Sequence, residues 1–348
     1  MRNLDDLTRR TFLSLSACGL TSSWFGQAFA QTRPDLSAIK TRADWQRAQK
    51  QILYGMQLVM GTLPKMKREP VPFQELGKED LGAFTRMKIK YLAEHEDWVM
   101  AYLLIPKNRK RRAPAMLCLH QTIKIGKGEP AGLGGSANLH YAKELAERGY
   151  VCIAPDYPYL GENTFDPYQN GYVSCTMKGI VNHMRAIDLL QSLPMVDDKR
   201  IGSIGHSLGG HNTLFVAAFD QRIKAMVTSC GFTSAKKYYN GDLTGWAGIR
   251  YMPLIAEKYG KDPNRIPFDF PELLVALAPR PLFINAPLRD GNFEVSGVQD
   301  CVNAAQPIYE QVFNAKDKLF AVYPDSGHDF PPDVRRKAWN FLDRWLMS

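Results

Sequence analysis

The sequence contains few cysteines, six in 348 residues, and Cys18 lies within the first thirty residues. The other five are odd in number and irregularly spaced, which is not typical of a disulfide framework. Neither a C-x-x-C pair nor an H-E-x-x-H segment occurs, so we expect no zinc site. Cys118 and Cys152 lie within apolar strand patterns and are predicted to be small buried side chains.

Long uninterrupted apolar runs are also absent, so no integral membrane span is predicted. The segment Thr8-Arg9-Arg10-Thr11-Phe12-Leu13 resembles a twin-arginine export signal, and Ala28-Phe29-Ala30 resembles a cleavage site. We therefore predict that residues 1–30 are a twin-arginine-type signal peptide and that the mature protein is periplasmic or secreted. Lipidation of Cys18 is the alternative, because Leu15-Ser16-Ala17-Cys18 resembles a lipoprotein processing site.

A concentrated basic region is missing as well, although the formal net charge is +9. Lysine and arginine are spread along the chain, and the one dense run, residues 107–112, lies between two strand patterns. We interpret that run as a solvated turn and expect no nucleic-acid partner. The sequence has no internal repeat, and a hydrophobic content of 45% suffices for one large core.

The helix and strand patterns predict an α/β protein. Thr41 and Asp44 have capping-box spacing, and helical periodicity follows, so residues 31–86 are predicted to form a helix and a polar connector. Residues 87–348 begin with an antiparallel hairpin, after which short apolar strands alternate with helices. That alternation is typical of a mostly parallel sheet with helices on both faces. Residues 232–278 interrupt it before the strand that leads to Asp290, and we predict that they form a cap or lid.

The strongest motif is the G-x-S-x-G segment Gly205-His206-Ser207-Leu208-Gly209. An apolar strand pattern precedes it and a buried-helix pattern follows, which is the context of a nucleophile elbow. The sharp turn needs small residues two positions before and two positions after the serine, and glycine occupies both. Ser207 is therefore the candidate nucleophile.

A serine nucleophile needs a base and a carboxylate that orients the base. His328 lies in the loop between the last strand pattern and the C-terminal helix and is the candidate base. Asp290 directly follows a strand and is the candidate acid, in preference to Asp300, Asp325 and Asp329.

The reaction also needs donors for an oxyanion. The backbone N–H of Leu208 is one candidate, and that of Gln121 or Thr122, in the loop after the Cys118 strand, is the other. Four more residues are predicted as possible substrate-pocket residues, with purely structural roles as the alternative: His120, His206, Tyr157 and Trp246.

From about Met87 onward, the sequence resembles the α/β-hydrolases, and within them the branch of dienelactone hydrolases, acetyl xylan esterases and prolyl oligopeptidase-like proteins. Besides the elbow, three segments carry the resemblance: residues 197–202, Asp156-Tyr157 and Gly327-His328-Asp329-Phe330. The resemblance implies an α/β-hydrolase fold with a triad in the order Ser, Asp, His. Many relatives have glycine where this chain has Gln121.

These features predict an exported serine hydrolase that cleaves carboxylic esters of small molecules or oligosaccharides, such as acetylated carbohydrates, without a metal or organic cofactor. A peptidase or amidase, a dienelactone-type hydrolase and an inactive binding protein are the alternatives. Dienelactone hydrolases use cysteine where this chain has Ser207. Residues 31–86 are too few for the propeller that precedes the hydrolase domain of prolyl oligopeptidases. Both differences favour ester hydrolysis.

Overall fold

The computed structural model describes residues 33–66, 69–107 and 112–347. The predicted signal peptide and Cys18 lie outside the described residues, as does most of the basic run that begins at Lys107. Within the described ranges, no helix combines the length and the apolar character that crossing a bilayer requires.

The strands found in the described residues are β1 (Phe73–Asp80), β2 (Phe84–Glu94), β3 (Asp97–Pro106), β4 (Ala113–Leu119), β5 (Val151–Pro155), β6 (Val196–His206), β7 (Ile223–Ser229), β8 (Leu282–Asn285) and β9 (Leu319–Val322). They form one sheet in the order β1-β2-β3-β5-β4-β6-β7-β8-β9. The pairs β1-β2, β2-β3 and β3-β5 are antiparallel. The pairs β5-β4, β4-β6, β6-β7, β7-β8 and β8-β9 are parallel. The predicted mostly parallel sheet is confirmed.

The α-helices of the described residues are α1 (Arg42–Met60), α2 (Tyr141–Glu147), α3 (Cys175–Ser192), α4 (Leu208–Phe219), α5 (Leu254–Glu257), α6 (Phe270–Leu277), α7 (Val295–Pro307) and α8 (Pro332–Leu346). Apolar side chains of α1, α3, α4, α6 and α7 belong to one core cluster, and those of α2 and α8 belong to another. Leu117 of β4 joins the first cluster, whereas its neighbours Met116 and Cys118 join the second. Successive residues of a strand point to opposite faces, so helices cover both faces of the sheet, as predicted.

Three strands inside the sheet are buried along their whole length. Every residue of β4, β5 and β8 is buried, which explains why apolar residues dominate these strands in the sequence. Cys118 and Cys152 have no exposed surface. The five cysteines of the described chain are buried and form no disulfide.

Helix α1 begins with the predicted capping box. Thr41 Oγ1 accepts a hydrogen bond from the Asp44 N–H at 3.2 Å, and the Asp44 carboxylate accepts one from the Thr41 N–H at 2.8 Å. The Trp45 indole N–H donates to the carbonyl of Val275 in α6 at 2.8 Å. Helix α1 therefore packs against α6, which lies in the segment between β7 and β8.

Strand β1 is not predicted by the sequence, which suggests a connector up to residue 86. All eight of its residues are exposed, so no alternation of buried and exposed side chains marks it as a strand. It is held at the edge of the sheet by antiparallel pairing with β2. The sheet thus begins before residue 87.

The predicted cap, residues 232–278, has two parts. Its C-terminal helix α6 is buried and packs against α4 and α7, so it belongs to the helical layer on the sheet. The preceding turns carry aromatic residues to the carboxyl end of β6, where Tyr238, Trp246 and Tyr251 share a cavity with Ser207. Only the N-terminal part of the insertion therefore covers the candidate site.

Candidate active site

Ser207 lies in the sharp turn between β6 and α4. Its backbone has φ 52° and ψ −119°, a conformation that non-glycine residues rarely adopt. The Ser207 N–H donates to the carbonyl of Ser229 at 2.9 Å, and the Ser207 carbonyl accepts from the His211 N–H at 2.9 Å. These bonds on both sides of the turn hold the serine in the strained conformation typical of a nucleophile elbow.

The two glycines of the motif are required by close packing of the backbone. A Cβ atom on Gly205 would lie 2.2 Å from backbone atoms of Gly209, and a Cβ atom on Gly209 would lie 1.8 Å from the carbonyl oxygen of Leu119. Leu119 ends β4, so the elbow is pressed against the neighbouring strand. The serine is positioned by this packing as well as by its hydrogen bonds.

Gly209→Ala is therefore expected to destabilise the protein by about 3 kcal/mol or more, because the added methyl group meets backbone atoms that have no room to move. Equilibrium unfolding in urea measures the loss. The matched control is Gly77→Ala, because a Cβ atom on Gly77 of the exposed strand β1 would have no neighbour within 4 Å. Equal stabilities of the two variants would contradict this account of the elbow.

His328 and Asp290, the candidate base and acid, are hydrogen-bonded to each other. His328 Nδ1 lies 2.9 Å and 3.0 Å from the two carboxylate oxygens of Asp290. Asp290 Oδ1 also accepts the backbone N–H groups of Asn292, at 2.8 Å, and Phe293, at 3.2 Å. Burial of the Asp290 carboxyl raises its pKa, but the hydrogen bond from His328 and these N–H donors outweigh burial and hold the pKa below its ordinary value.

This pairing determines the role of each imidazole nitrogen. A carboxylate can only accept, so His328 Nδ1 carries the proton and, in the neutral ring, Nε2 has a free lone pair. The Asp290 side chain is 1% exposed and that of His328 is 21% exposed. Asp290 therefore lies behind the imidazole, and His328 opens into the cavity that Ser207 lines.

That cavity has a volume of 300 Å³ and brings most of the predicted residues together. Ser207 and His328 line it, as do Leu208, Gln121, Thr122 and Trp246. The Gln121 amide donates to both carboxylate oxygens of the buried Glu129, at 3.0 Å and 2.9 Å. With its side-chain amide bound in this way, Gln121 keeps its backbone N–H as the candidate oxyanion donor.

Three residues predicted as possible pocket residues do not line this cavity. His120 is 2% exposed, its Nδ1 lies 2.6 Å from the Gln121 carbonyl, and its Nε2 accepts the Tyr157 N–H at 3.0 Å. The Tyr157 hydroxyl donates to the Arg250 carbonyl at 2.9 Å. Both rings are used to hold loops together. His206, the third, is 1% exposed.

His206 packs against the ring of His328, the candidate base. Its ring lies edge-on to that of His328, with centroids 4.7 Å apart, and its Nδ1 is 2.9 Å from Ser229 Oγ. Asn285 Nδ2 in turn donates to Ser229 Oγ at 2.9 Å and to the carbonyl of Asp329 at 2.9 Å. Burial, assisted by His328, lowers the pKa of His206 to about 3, so this ring stays neutral beside the base.

In the described part of the chain, one group of side chains could bind a metal ion. It consists of His206, Cys230 and His328, whose potential ligand atoms lie within 4.8 Å of one another. Nδ1 of each histidine is already engaged, with Ser229 and Asp290. Burial raises the pKa of the Cys230 thiol well above its ordinary value, and only the thiolate is a good ligand. These three residues are therefore poorly suited to binding a metal ion.

Comparison with protein families matches residues 136–348, more than half of the chain, to the prolyl oligopeptidase family. The chain belongs to the prolyl oligopeptidase family. The matched region contains Ser207, Asp290 and His328, and the resemblance predicted from the sequence is confirmed. The matched region starts after β4, so the loop that contains Gln121 and Thr122 lies outside the match.

Relatives of this family member match a larger share of the chain than the family does. YtaP of Bacillus subtilis (strain 168) is 27% identical over 303 residues, which are 83% of this chain and 96% of YtaP. A glucuronoyl esterase from Solibacter usitatus has a TM-score of 0.71 at 16% identity and covers 90% of this chain and 97% of its own. Acetyl Xylan Esterase 1 from Thermoanaerobacterium sp. JW/SL YS485 has a TM-score of 0.57 at 15% identity, and the match covers 94% of this chain and 99% of the esterase chain. At these identities the structures show the fold, and the predicted α/β-hydrolase fold is confirmed.

The cavity of this prolyl oligopeptidase family member has an aromatic wall of which only Trp246 was predicted. Tyr238 stacks on Trp246 with ring centroids 4.0 Å apart and lies 5.9 Å from Phe293. The Tyr239 hydroxyl donates to Asn292 Oδ1 at 3.0 Å and so ties the insertion to the acid loop. Asn292 and Phe293 follow Asp290 by two and three residues, and that closeness in the chain is the signal that could have identified them.

Proposed function

We propose that the protein is an exported serine hydrolase that cleaves carboxylic esters, with esterified carbohydrates as the substrate class. The observation that carries the proposal is the arrangement of His328, which is bound to the buried Asp290 on one side and open on the other to the cavity that Ser207 lines. Esterases of the same fold support it, as do the aromatic faces of the cavity, which suit the apolar faces of sugar rings. The export signal pattern within residues 1–30 supports export.

In the first half of the reaction, Ser207 Oγ attacks the ester carbonyl while His328 Nε2 takes the hydroxyl proton. The negative charge that develops on the carbonyl oxygen accepts hydrogen bonds from the N–H of Leu208 and from that of Gln121 or Thr122. The imidazolium is stabilised by Asp290, which stays ionised. Collapse of the tetrahedral intermediate breaks the bond to the alcohol, which leaves with the proton from His328 and gives an acyl-enzyme.

In the second half, His328 Nε2 takes a proton from water as the water oxygen attacks the acyl-enzyme carbonyl. The same N–H groups stabilise the second oxyanion. Collapse breaks the bond to Ser207 Oγ, which recovers its proton from His328, and the carboxylic acid is released. No other reactant is required.

A peptidase or amidase is the second candidate, and membership of the prolyl oligopeptidase family is the observation that favours it. An amide uses the same steps but needs its leaving nitrogen to be protonated by His328. The choice between the two candidates therefore depends on the substrate and not on the triad.

Comparison of kcat/KM for p-nitrophenyl acetate with kcat/KM for an aminoacyl-prolyl p-nitroanilide distinguishes the esterase from the peptidase. Both substrates release a coloured product, so both rates are measured by absorbance. We expect rapid hydrolysis of the ester and little or none of the anilide, and a fluorophosphonate should label Ser207 with loss of activity. Faster cleavage of the anilide would favour the peptidase. Absence of labelling would overturn both candidates in favour of an inactive scaffold. A panel of acetylated sugars then tests the carbohydrate class.

A further inference from the structure

A second cavity, of 270 Å³, lies beside the one that contains Ser207. Thr122 lines both cavities. Where the cavities meet, Thr122 Oγ1 lies 3.1 Å from the Tyr251 hydroxyl oxygen. Tyr251 lines the first cavity, and its neighbour in the chain, Arg250, lines the second. The two cavities therefore adjoin at this pair.

The second cavity is lined by two cations and no carboxylate. Lys124 and Arg250 are the charged residues of its wall, and neither forms a salt bridge among the described residues. The remaining wall is formed by neutral residues: Thr122, Ile123, Tyr159, Leu160 and Gly161. Both cations are exposed to solvent, and they give the wall of this cavity two positive charges.

The acidic residues near this wall in the chain are bound to groups other than Lys124 and Arg250. Glu162 binds Lys88 at 2.8 Å and Lys127 at 2.6 Å. Asp166 accepts the Tyr159 hydroxyl at 2.7 Å. Among the described residues, neither of these carboxylates forms a salt bridge with Lys124 or Arg250.

The backbone that carries these cations is fixed. The Arg250 carbonyl accepts the hydroxyl of the buried Tyr157 at 2.9 Å, and the Tyr251 carbonyl accepts the Thr176 N–H at 3.3 Å. The loop of Lys124 is anchored by Gln121, whose amide is bound to Glu129. Two cations on anchored loops, facing one cavity beside the nucleophile, form a place where an anion gains charge-assisted hydrogen bonds.

We infer that this second cavity binds a carboxylate of the substrate, so that the protein prefers esters that also carry a free carboxylate. The inference rests on the proposed ester hydrolysis and specifies its substrate class. Lys124 supplies a point charge, and the planar guanidinium of Arg250 can bind a carboxylate with two parallel hydrogen bonds. Neither group touches the reacting atoms, so both act on specificity.

The test uses esters that differ only in charge. The first pair is 3-acetoxybenzoate and 3-acetoxybenzamide, in which the carboxylate or its neutral isostere lies on the alcohol side. The second pair is p-nitrophenyl glutarate and p-nitrophenyl glutaramate, in which it lies on the acyl side. For at least one pair, we expect kcat/KM of the carboxylate ester to exceed that of the neutral ester by about tenfold at low salt, and the ratio to fall as salt is added.

In the double variant Lys124→Met, Arg250→Gln, kcat/KM should fall about tenfold for the preferred carboxylate ester and stay unchanged for its neutral partner. The matched control is Lys337→Met, Arg336→Gln, which makes the same change of net charge at exposed positions of α8. We expect that control to behave as the wild type. Equal losses for both esters in the Lys124 and Arg250 variant, or no preference in the wild type for either pair, would overturn the inference.

Binding of the product 3-hydroxybenzoate, compared with 3-hydroxybenzamide by calorimetry, separates this inference from the proposed function. Tighter binding of the acid by the wild type than by the double variant supports the carboxylate site even if no ester is cleaved. Hydrolysis of the neutral esters without any preference for the acids, in turn, refutes the carboxylate site and leaves ester hydrolysis intact.

Discussion

Ser207→Ala is expected to lower kcat for p-nitrophenyl acetate by about 10⁴- to 10⁶-fold, because no other group in the turn can form the acyl-enzyme. The effect should fall on kcat, with little change in binding of the substrate. Stopped and continuous assays with p-nitrophenyl acetate measure the rate, and fluorophosphonate labelling should disappear in the same variant.

The matched control for this variant is Ser203→Ala in β6, the strand that leads into the turn of Ser207. Ser203 is buried, and its hydroxyl has no hydrogen-bond partner in the described chain, so the change removes one oxygen near the elbow without breaking a contact. We expect that control to retain the activity and the stability of the wild type. A Ser207→Ala protein with more than a tenth of the wild-type kcat would show that Ser207 is not the nucleophile.

The elbow could be predicted from the sequence because its constraint is local. Gly205 and Gly209 are forced by atoms within the turn and by Leu119 of the adjacent strand, so the motif and its two neighbouring elements contain the information. Asp290 and His328 were placed by the rule that parallel strands end at the same edge of a sheet. Both residues follow strands in which apolar residues dominate, and such strands are readily predicted from the sequence.

The lining of the cavity could not be predicted in the same way. His120 follows a core strand, as a pocket residue would, but its ring turns inward to the Tyr157 N–H. A position in the chain determines which edge of the sheet a residue occupies and not where its side chain points. Tyr238 and Asn292 meet at the cavity only because a long insertion folds back over the elbow.

Strand β1 was missed for a different reason. Its eight residues are exposed, and its contribution is backbone pairing with β2, which leaves no hydrophobic period in the sequence. Hydrophobic patterning therefore predicted the buried layers of the fold well and the exposed edge poorly.

Asp290→Asn is expected to lower kcat by about 10⁴-fold while the fold remains intact. The amide oxygen of asparagine can still accept the N–H groups of Asn292 and Phe293, so the acid loop keeps its geometry. The amide NH₂, in contrast, donates to Nδ1 of His328 and favours the tautomer with the proton on Nε2. That nitrogen then presents N–H to Ser207 and cannot accept the hydroxyl proton.

Measurement of kcat together with the rate of fluorophosphonate labelling tests this account, because both depend on proton transfer from Ser207 and should fall in parallel. Asp325→Asn is the matched control, since Asp325 lies in the same region, is 72% exposed at its side chain and pairs with Arg289 at 3.1 Å. Loss of an exposed pair should change kcat by less than about twofold.

If kcat of Asp290→Asn stayed within tenfold of the wild-type value while Asp329→Asn or Asp300→Asn was inactive, the acid role would pass to that residue. Such a result would require His328 to turn away from Asp290, because its Nδ1 can donate its single proton to only one carboxylate.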